Sequence, residues 1–208
     1  MIVQVVGLIA IVLLAVILHE IAHGWVAYLR GDPTAKFAGR LTLNPLSHID
    51  PIGTVVLPGV LLFLSMQGIP TVIFGWAKPV PVNFQRLKQP KTDIMWVGLA
   101  GPVVNVLLAV LFSLLIHHVP LSLAQFKLAI YGMFINLTLA VFNMMPIPPL
   151  DGSKIVMGLL PNAWAASYAR LERFGILIVF IFLYLGLFDR IVYPLVQMAG
   201  NVLGVQMP

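Results

Sequence analysis

Long apolar runs separated by short polar segments dominate this chain of 208 residues. The runs cover residues 2–29, 52–76, 94–116, 128–145, 174–188 and 191–205. A helix needs roughly 17–25 apolar residues to cross a bilayer, so the first and third runs are the clearest spans. The fifth run is short for a span unless its helix extends backward through residues 168–173. The pattern predicts an all-α polytopic membrane protein with about five to six transmembrane helices.

The second run, residues 52–76, is interrupted by Pro58, Gly59, Gly68 and Pro70. Ten of the twelve basic residues lie in three loops, which follow the first helix, precede the third and follow the fourth. The positive-inside rule places all three loops in the cytoplasm. A single crossing by residues 52–76 would put the first two loops on opposite faces. We therefore predict a re-entrant hairpin, or short β segments, near the polar residues of the first helix. One kinked span is the alternative.

Composition supports a membrane protein and narrows the possible partners. Hydrophobic residues make up 60% of the chain, charged residues 9%, and mean hydropathy is +1.01. Soluble domains carry roughly 25% charged residues. In so apolar a chain, the basic residues behind the net charge of +5 are expected to set its orientation in the membrane. The expected partner is therefore a lipid bilayer and not a nucleic acid. There is no cysteine, so a transition metal must be held by histidine, carboxylate or water.

Candidate chemistry lies inside the first apolar run, in the pentapeptide His19-Glu20-Ile21-Ala22-His23. Histidine and glutamate are costly in hydrocarbon and are rare there unless they face a cavity or a partner. Two histidines four positions apart share one helix face and can reach a single Zn²⁺. Glu20 adjoins the first histidine and can act as a general base. A chance match on an ordinary helix is the alternative, and the cost of the polar groups in hydrocarbon counts against it.

A catalytic zinc needs a third protein ligand and an open position. His117 and His118 end the third helix on the opposite side of the membrane from the motif, which makes them poor candidates. Asp151 follows an apolar helix that ends on the same side as the motif, after a stretch with three prolines that denies the backbone its helical hydrogen bonds. A turn or N-cap role is the ordinary alternative for Asp151. His48 and Asp50 are the next candidates for the third ligand.

Three motifs together resemble the site-2 protease family, in its compact prokaryotic branch without a PDZ domain. They are HEIAH in the first helix, Gly101-Pro102-Val103-Val104-Asn105 in the third, and the Asn143-x-x-Pro-x-Pro-x-x-Asp151-Gly152 element after the fourth. From the residues alone, Gly101, Pro102 and Asn105 are interpreted as helix packing. The resemblance implies residues 1–152 as the catalytic membrane core, with 153–208 as C-terminal helices of the same unit.

The resemblance also implies an activity and its residues. Members of the family are intramembrane zinc metalloproteases that cut membrane proteins in or beside a transmembrane segment. His19, His23 and Asp151 are then ligands to one zinc ion per chain, Glu20 is the catalytic base, and Asn143 contacts the substrate. The expected location is a prokaryotic plasma membrane, with a multi-pass fold and the active site toward the cytoplasm. A non-enzymatic membrane zinc protein, either a transporter or a scaffold, is the alternative, and it has no need of Glu20.

Overall fold

A computed structural model describes residues 2–69 and 75–207, apart from the side chains of Ile2 and Val3. The described part is helical and contains no strand, so the all-α prediction is confirmed and the alternative of short β segments finds no support there. Its α-helices are α1 (Ile2–Leu29), α2 (Thr34–Phe37), α3 (Leu57–Met66), α4 (Pro90–His118), α5 (Leu123–Asn143), α6 (Asp151–Leu159), α7 (Asn162–Ala169), α8 (Gly175–Tyr184) and α9 (Tyr193–Val202).

Helices α1, α4 and α5 are long and apolar enough to cross a membrane. Helix α4 lies at the centre and packs against α1, α5 and α6. It runs antiparallel to α1, because His19 and His23 of α1 contact Asn105 and Val97 of α4 in reverse order. Helix α5 begins at the opposite end, where Ser122 and Gln125 form a capping box. The end of α1, the start of α4 and the end of α5 therefore meet at one end of the bundle.

The second apolar run begins with a short helix, and the two ends of the run lie side by side. A six-residue π-helical turn, Pro51–Val56, continues into the ten residues of α3, so the helix is roughly 24 Å long. The Trp76 N–H donates to the Gly53 carbonyl over 3.1 Å, and the Lys78 N–H donates to the His48 carbonyl over 2.9 Å. Both ends of the segment therefore lie together, which is the geometry of a hairpin. Residues 70–74 of this predicted hairpin lie outside the described residues.

The last third of the chain corrects the predicted number of spans. Residues Asn162–Tyr184 form one helical stretch, and a break around Gly186 then bends the chain by 72° into Phe188–Val202. Gly186 has a φ of 66°, which favours glycine and ends a helix. Within the described residues there are three candidate spans, or four if the bent pair counts as one. The expectation of five to six was wrong, because the second run is a short helix and the fifth and sixth runs are two arms of one bent pair.

The C-terminal arms pack against α4 and α5 through a buried apolar cluster. Its members are Ala109, Met133, Leu137, Phe182, Val192, Val196 and Val205. In a water-soluble protein, burying such side chains contributes about 25 cal/mol per Å² of apolar surface removed from water. Between helices in a membrane, close van der Waals packing stabilises the contact instead. The cluster fixes α5 against α4, and so fixes the end of α5 from which the chain enters α6.

Candidate metal centre

Two histidines of α1 face the interior of the bundle. His19 and His23 are each 7% exposed, and their ring centroids lie 4.6 Å apart. This follows from the helix, in which residues four apart are stacked on one face. The sequence predicted this pairing. The face they share is turned toward α4 and the start of α6.

Asp151 completes a triangle of donor atoms. Its Oδ2 lies 3.1 Å from His19 Nε2 and 3.2 Å from His23 Nε2, and the two Nε2 atoms are 3.0 Å apart. Asp151 is the first residue of α6, and Gly152 allows the close turn there, because a Cβ at Gly152 would overlap the carbonyls of Met144 and Met145. Among the described residues, these three side chains form the group able to hold a metal ion.

Hydrogen bonds on the far side of each ring set the histidine tautomers. His19 Nδ1 lies 2.5 Å from Asn105 Oδ1, and His23 Nδ1 lies 2.6 Å from the Val97 carbonyl oxygen. Both oxygens are acceptors, so each Nδ1 carries the proton and each Nε2 keeps its lone pair. Two lone pairs and a carboxylate oxygen facing one point repel one another unless a cation lies between them.

The donor set fits zinc. Ligand atoms at 2.0–2.1 Å from a tetrahedral zinc lie roughly 3.3 Å from one another, close to the three separations found between the Nε2 and Oδ2 atoms. Two imidazoles and one carboxylate leave a fourth position open, as in catalytic zinc sites. The second carboxylate oxygen of Asp151 accepts a hydrogen bond from Lys154 Nζ at 2.6 Å. Outer partners of this kind hold a ligand in orientation.

Asp151 remains an anion at neutral pH. When no metal is bound, a proton on an imidazole Nε2 takes its place: burial alone would raise the pKa of the Asp151 carboxyl group, but hydrogen bonds from His19 and His23, together with the charges of His23 and Lys154, then hold that pKa well below its usual range. A metal ligand must be deprotonated to bind. The surroundings of Asp151 therefore already favour the form that a metal requires.

Asn105 contacts a candidate ligand, a role that the sequence analysis missed because the third motif was interpreted as helix packing. Besides holding His19, its Nδ2 donates to Asn136 Oδ1 over 2.9 Å, and Asn136 Nδ2 in turn donates to the Gly132 carbonyl over 2.8 Å. Both asparagines are buried. Buried amides are found where their hydrogen bonds are satisfied. The signal was available: a lone amide in the middle of an apolar helix needs a partner.

Glu20 lies beside the ligands but makes a different contact. Its Oε2 accepts a hydrogen bond from the backbone N–H of Val80, at 2.8 Å. Gly101 of α4 faces the two histidines, because a Cβ built there would lie 2.5 Å from ring atoms of His19 and His23. The absence of a side chain at Gly101 thus keeps the space over the donor atoms clear.

The remaining candidates lie elsewhere. His48 Nε2 contacts the Thr42 carbonyl at 2.9 Å, and Asp50 caps the π-helical turn by accepting the N–H groups of Ile52 and Gly53. Neither residue belongs to the cluster of donor atoms. Asn143 Nδ2 donates to the Leu139 carbonyl of its own helix over 2.9 Å. Its contact with substrate stays a prediction.

Comparison with known proteins identifies the family. "Putative zinc metalloprotease YwhC" of Bacillus subtilis is 36% identical over 189 residues, covering 86% of this chain and 81% of that protein. This chain belongs to peptidase family M50. The M50 family model itself matches residues 121–186, which include Asn143 and Asp151. The predicted membership of the site-2 protease family is confirmed.

Two further relatives carry the same description, putative zinc metalloprotease. "Putative zinc metalloprotease Rip2" of Mycolicibacterium smegmatis is 30% identical over 195 residues, covering 93% of this chain and 72% of that protein. "Putative zinc metalloprotease MJ0611" of Methanocaldococcus jannaschii is 50% identical over 70 residues, 33% of this chain and 36% of that protein. No solved structure matches the chain.

Proposed function

We propose that this M50 protein is an intramembrane zinc metalloendopeptidase of the HExxH type, which binds one zinc ion per chain. The observation that carries the proposal is the convergence of His19 Nε2, His23 Nε2 and Asp151 Oδ2 within 3.2 Å of one another inside a membrane-length bundle, with Glu20 next to the first ligand. Membership of a peptidase family supports the same conclusion.

The protein's own residues perform the proton transfers. A zinc ion held by the three ligands would supply a Lewis acid that activates water and polarises the scissile carbonyl. Glu20 takes the proton from the attacking water and passes it to the leaving amine. Asn105 and the Val97 carbonyl hold the two histidines in the tautomer that leaves Nε2 free for the metal. Gly101 leaves the space that a substrate carbonyl must enter.

The depth of the site suggests its location. His23 lies six residues before the end of α1 at Leu29, roughly 9 Å along the helix axis, whereas His19 is 17 residues from Ile2 at the other end. The end of α1 at Leu29, which is the end nearer the site, carries the basic loops. The loop after α1 and the loop before α4 meet there, because the Lys88 N–H donates to the Arg30 carbonyl. We propose that this end faces the cytoplasm of a prokaryotic plasma membrane, as the positive-inside rule indicates.

The substrates that fit such a site are membrane proteins with a transmembrane helix. A helix hides its peptide bonds in hydrogen bonds, so the substrate must unwind locally before cleavage. Gly costs roughly 1 kcal/mol relative to Ala in a helix, and Pro about 3 kcal/mol. In model substrates that carry Leu-Leu, Ala-Ala or Gly-Pro pairs in the inner third of the span, cleavage should accelerate in that order. Equal rates across the series would show that unwinding does not limit cleavage.

Glu20 distinguishes the protease from a zinc transporter or scaffold. The purified Glu20→Gln variant should keep its zinc and lose cleavage of a membrane-helix substrate, because the amide cannot accept the proton. Glu172→Gln is the matched control, since Glu172 is exposed in the 3₁₀ turn Arg170–Phe174. The alternative is not favoured, because the described residues contain one metal cluster at one depth, whereas transport needs ionisable residues staged across the bundle. Wild-type cleavage by Glu20→Gln would overturn the proposal.

A further inference from the structure

Arg40 is a buried cation whose position the mechanism above does not explain. Arg40 is only 8% exposed, and within the described residues it forms no ion pair. Burying a charge is costly unless it is paired or hydrogen-bonded. Arg40 Nη2 donates instead to two successive backbone carbonyls, Lys78 at 2.7 Å and Pro79 at 3.3 Å. Its Nε is buried without a hydrogen-bond partner.

The second of those carbonyls belongs to the peptide unit that contacts Glu20. The Pro79 C=O and the Val80 N–H are the two ends of one planar peptide, and in a trans peptide they point in opposite directions. Arg40 holds the oxygen end at 3.3 Å, and the N–H end donates to Glu20 Oε2 at 2.8 Å. A single rigid plane therefore links the guanidinium of Arg40 with the carboxylate of Glu20.

The surroundings of this peptide limit its movement. Val80 is 7% exposed and packs onto α1 at Gly24, one turn after Glu20, where a Cβ would come within 2.8 Å of Val80 Cγ1. Prolines on both sides of Val80 restrict the backbone to extended conformations. A few residues further on, the Asn83 N–H donates to the buried Asp32 carboxylate over 2.6 Å. The peptide can thus act as a fixed reference for Glu20, provided that its plane does not rotate.

We propose that Arg40 is a positioning residue for peptide hydrolysis: it fixes the plane of the Pro79–Val80 peptide, and that peptide holds the Glu20 carboxylate in place beside the zinc ligands. This rests on the proposed function, in which Glu20 is the base. A charge-assisted bond to the carbonyl also polarises the N–H at the other end, which strengthens its bond to the carboxylate. A misplacement of about 1 Å in a catalytic group can cost on the order of 10²-fold in rate.

Substitutions of Arg40 should lower kcat without removing the metal. Arg40→Gln should reduce kcat about tenfold or more, leave KM within about twofold, and retain one zinc per chain, while Arg40→Lys recovers part of kcat because an ammonium still reaches one carbonyl. Arg86→Gln is the control, because Arg86 is exposed and lies six residues after Val80, in the segment that carries the Pro79–Val80 peptide. Unchanged kcat in Arg40→Gln, or a fall in zinc content parallel to the fall in kcat, would overturn the proposal.

A double-mutant cycle tests whether Arg40 acts through the peptide. Val80→Pro removes the N–H that bonds Glu20, in a residue that the following proline already keeps extended. If the proposal holds, Val80→Pro lowers kcat by itself, and adding Arg40→Gln to it lowers kcat no further, since both remove the same contact. Multiplied effects of the two substitutions contradict it. Glu20→Gln, measured in parallel, separates the role of Glu20 as base from the role of Arg40 as its positioning residue. If Glu20→Gln cleaves normally, the proposed function fails. If Glu20→Gln is inactive while Arg40→Gln and Val80→Pro cleave normally, only the role of Arg40 fails.

Discussion

Replacing Gly101 by alanine should weaken zinc binding with little loss of helix stability. The added Cβ would lie 2.5 Å from His19 Nε2 and from His23 Nε2, about 1 Å short of the roughly 3.5 Å at which such atoms make optimal contact. The rings cannot turn away freely, because Asn105 and the Val97 carbonyl hold their Nδ1 atoms. Either ring must therefore shift by a large fraction of a zinc–nitrogen bond length of about 2.0–2.1 Å.

The expected size of the effect follows from comparable losses. Removing an outer partner of a metal ligand typically costs 10–100-fold in metal affinity, or about 1.4–2.8 kcal/mol. Because a ligand ring is itself displaced, Gly101→Ala should lose at least as much zinc affinity. The same substitution adds up to about 1 kcal/mol of helix propensity in α4, which offsets part of the roughly 1–3 kcal/mol that overpacking costs, so the zinc-free protein should unfold at only a modestly lower temperature.

The assay is a zinc titration in detergent against a competing chelator, together with thermal unfolding of the zinc-free protein. Gly59→Ala is the matched control, because Gly59 is helical and a Cβ there meets no atom within 4 Å. It should bind zinc as the wild type does. Gly101→Ala with wild-type zinc affinity would refute the steric argument, and so would an equal loss in Gly59→Ala.

Three further outcomes are expected. Zinc content should be one per chain in the wild type and should fall below about a tenth of that in Asp151→Ala, measured by elemental analysis; full retention would move the third ligand elsewhere. Asn105→Ala should weaken zinc binding about 10–100-fold by freeing the His19 ring, and unchanged affinity would deny Asn105 that role. Cysteines introduced at Ser47 and Gln85 should both be labelled from the cytoplasmic side in the otherwise cysteine-free chain; labelling from opposite sides would replace the hairpin by a single span.

The sequence predicted the local part of the site and the broad class of the fold. The spacing of His19 and His23 sufficed, because helix geometry alone puts them on one face. The cost of ionisable groups in hydrocarbon pointed to the same two residues and Glu20. Asp151, in contrast, was one of several candidates until the resemblance was considered, since its position depends on how α6 packs against α4, and that packing leaves no periodic signal in the chain.

What the sequence did not predict depends on tertiary contacts. Asn105 was assigned to packing because its partners, His19 and Asn136, lie on two other helices. The span count was too high because the two apolar runs on either side of Asp189 and Arg190 were counted as separate spans, whereas the bend at Gly186 makes them two arms of one pair. Arg40 was counted only as a charge on a loop, although its side chain is buried.

The separation of the ligands along the chain has a consequence for biosynthesis. His19 and Asp151 are 132 residues apart, so a nascent polypeptide that has inserted its first helices carries two imidazoles but not the carboxylate. The centre can form only after about three quarters of the chain has been translated and α5 has crossed the bilayer. On the proposed function, an unfinished chain at the translocon should therefore be inactive, and should not cleave the unpaired helices, its own or those of neighbouring nascent proteins, that surround it during insertion.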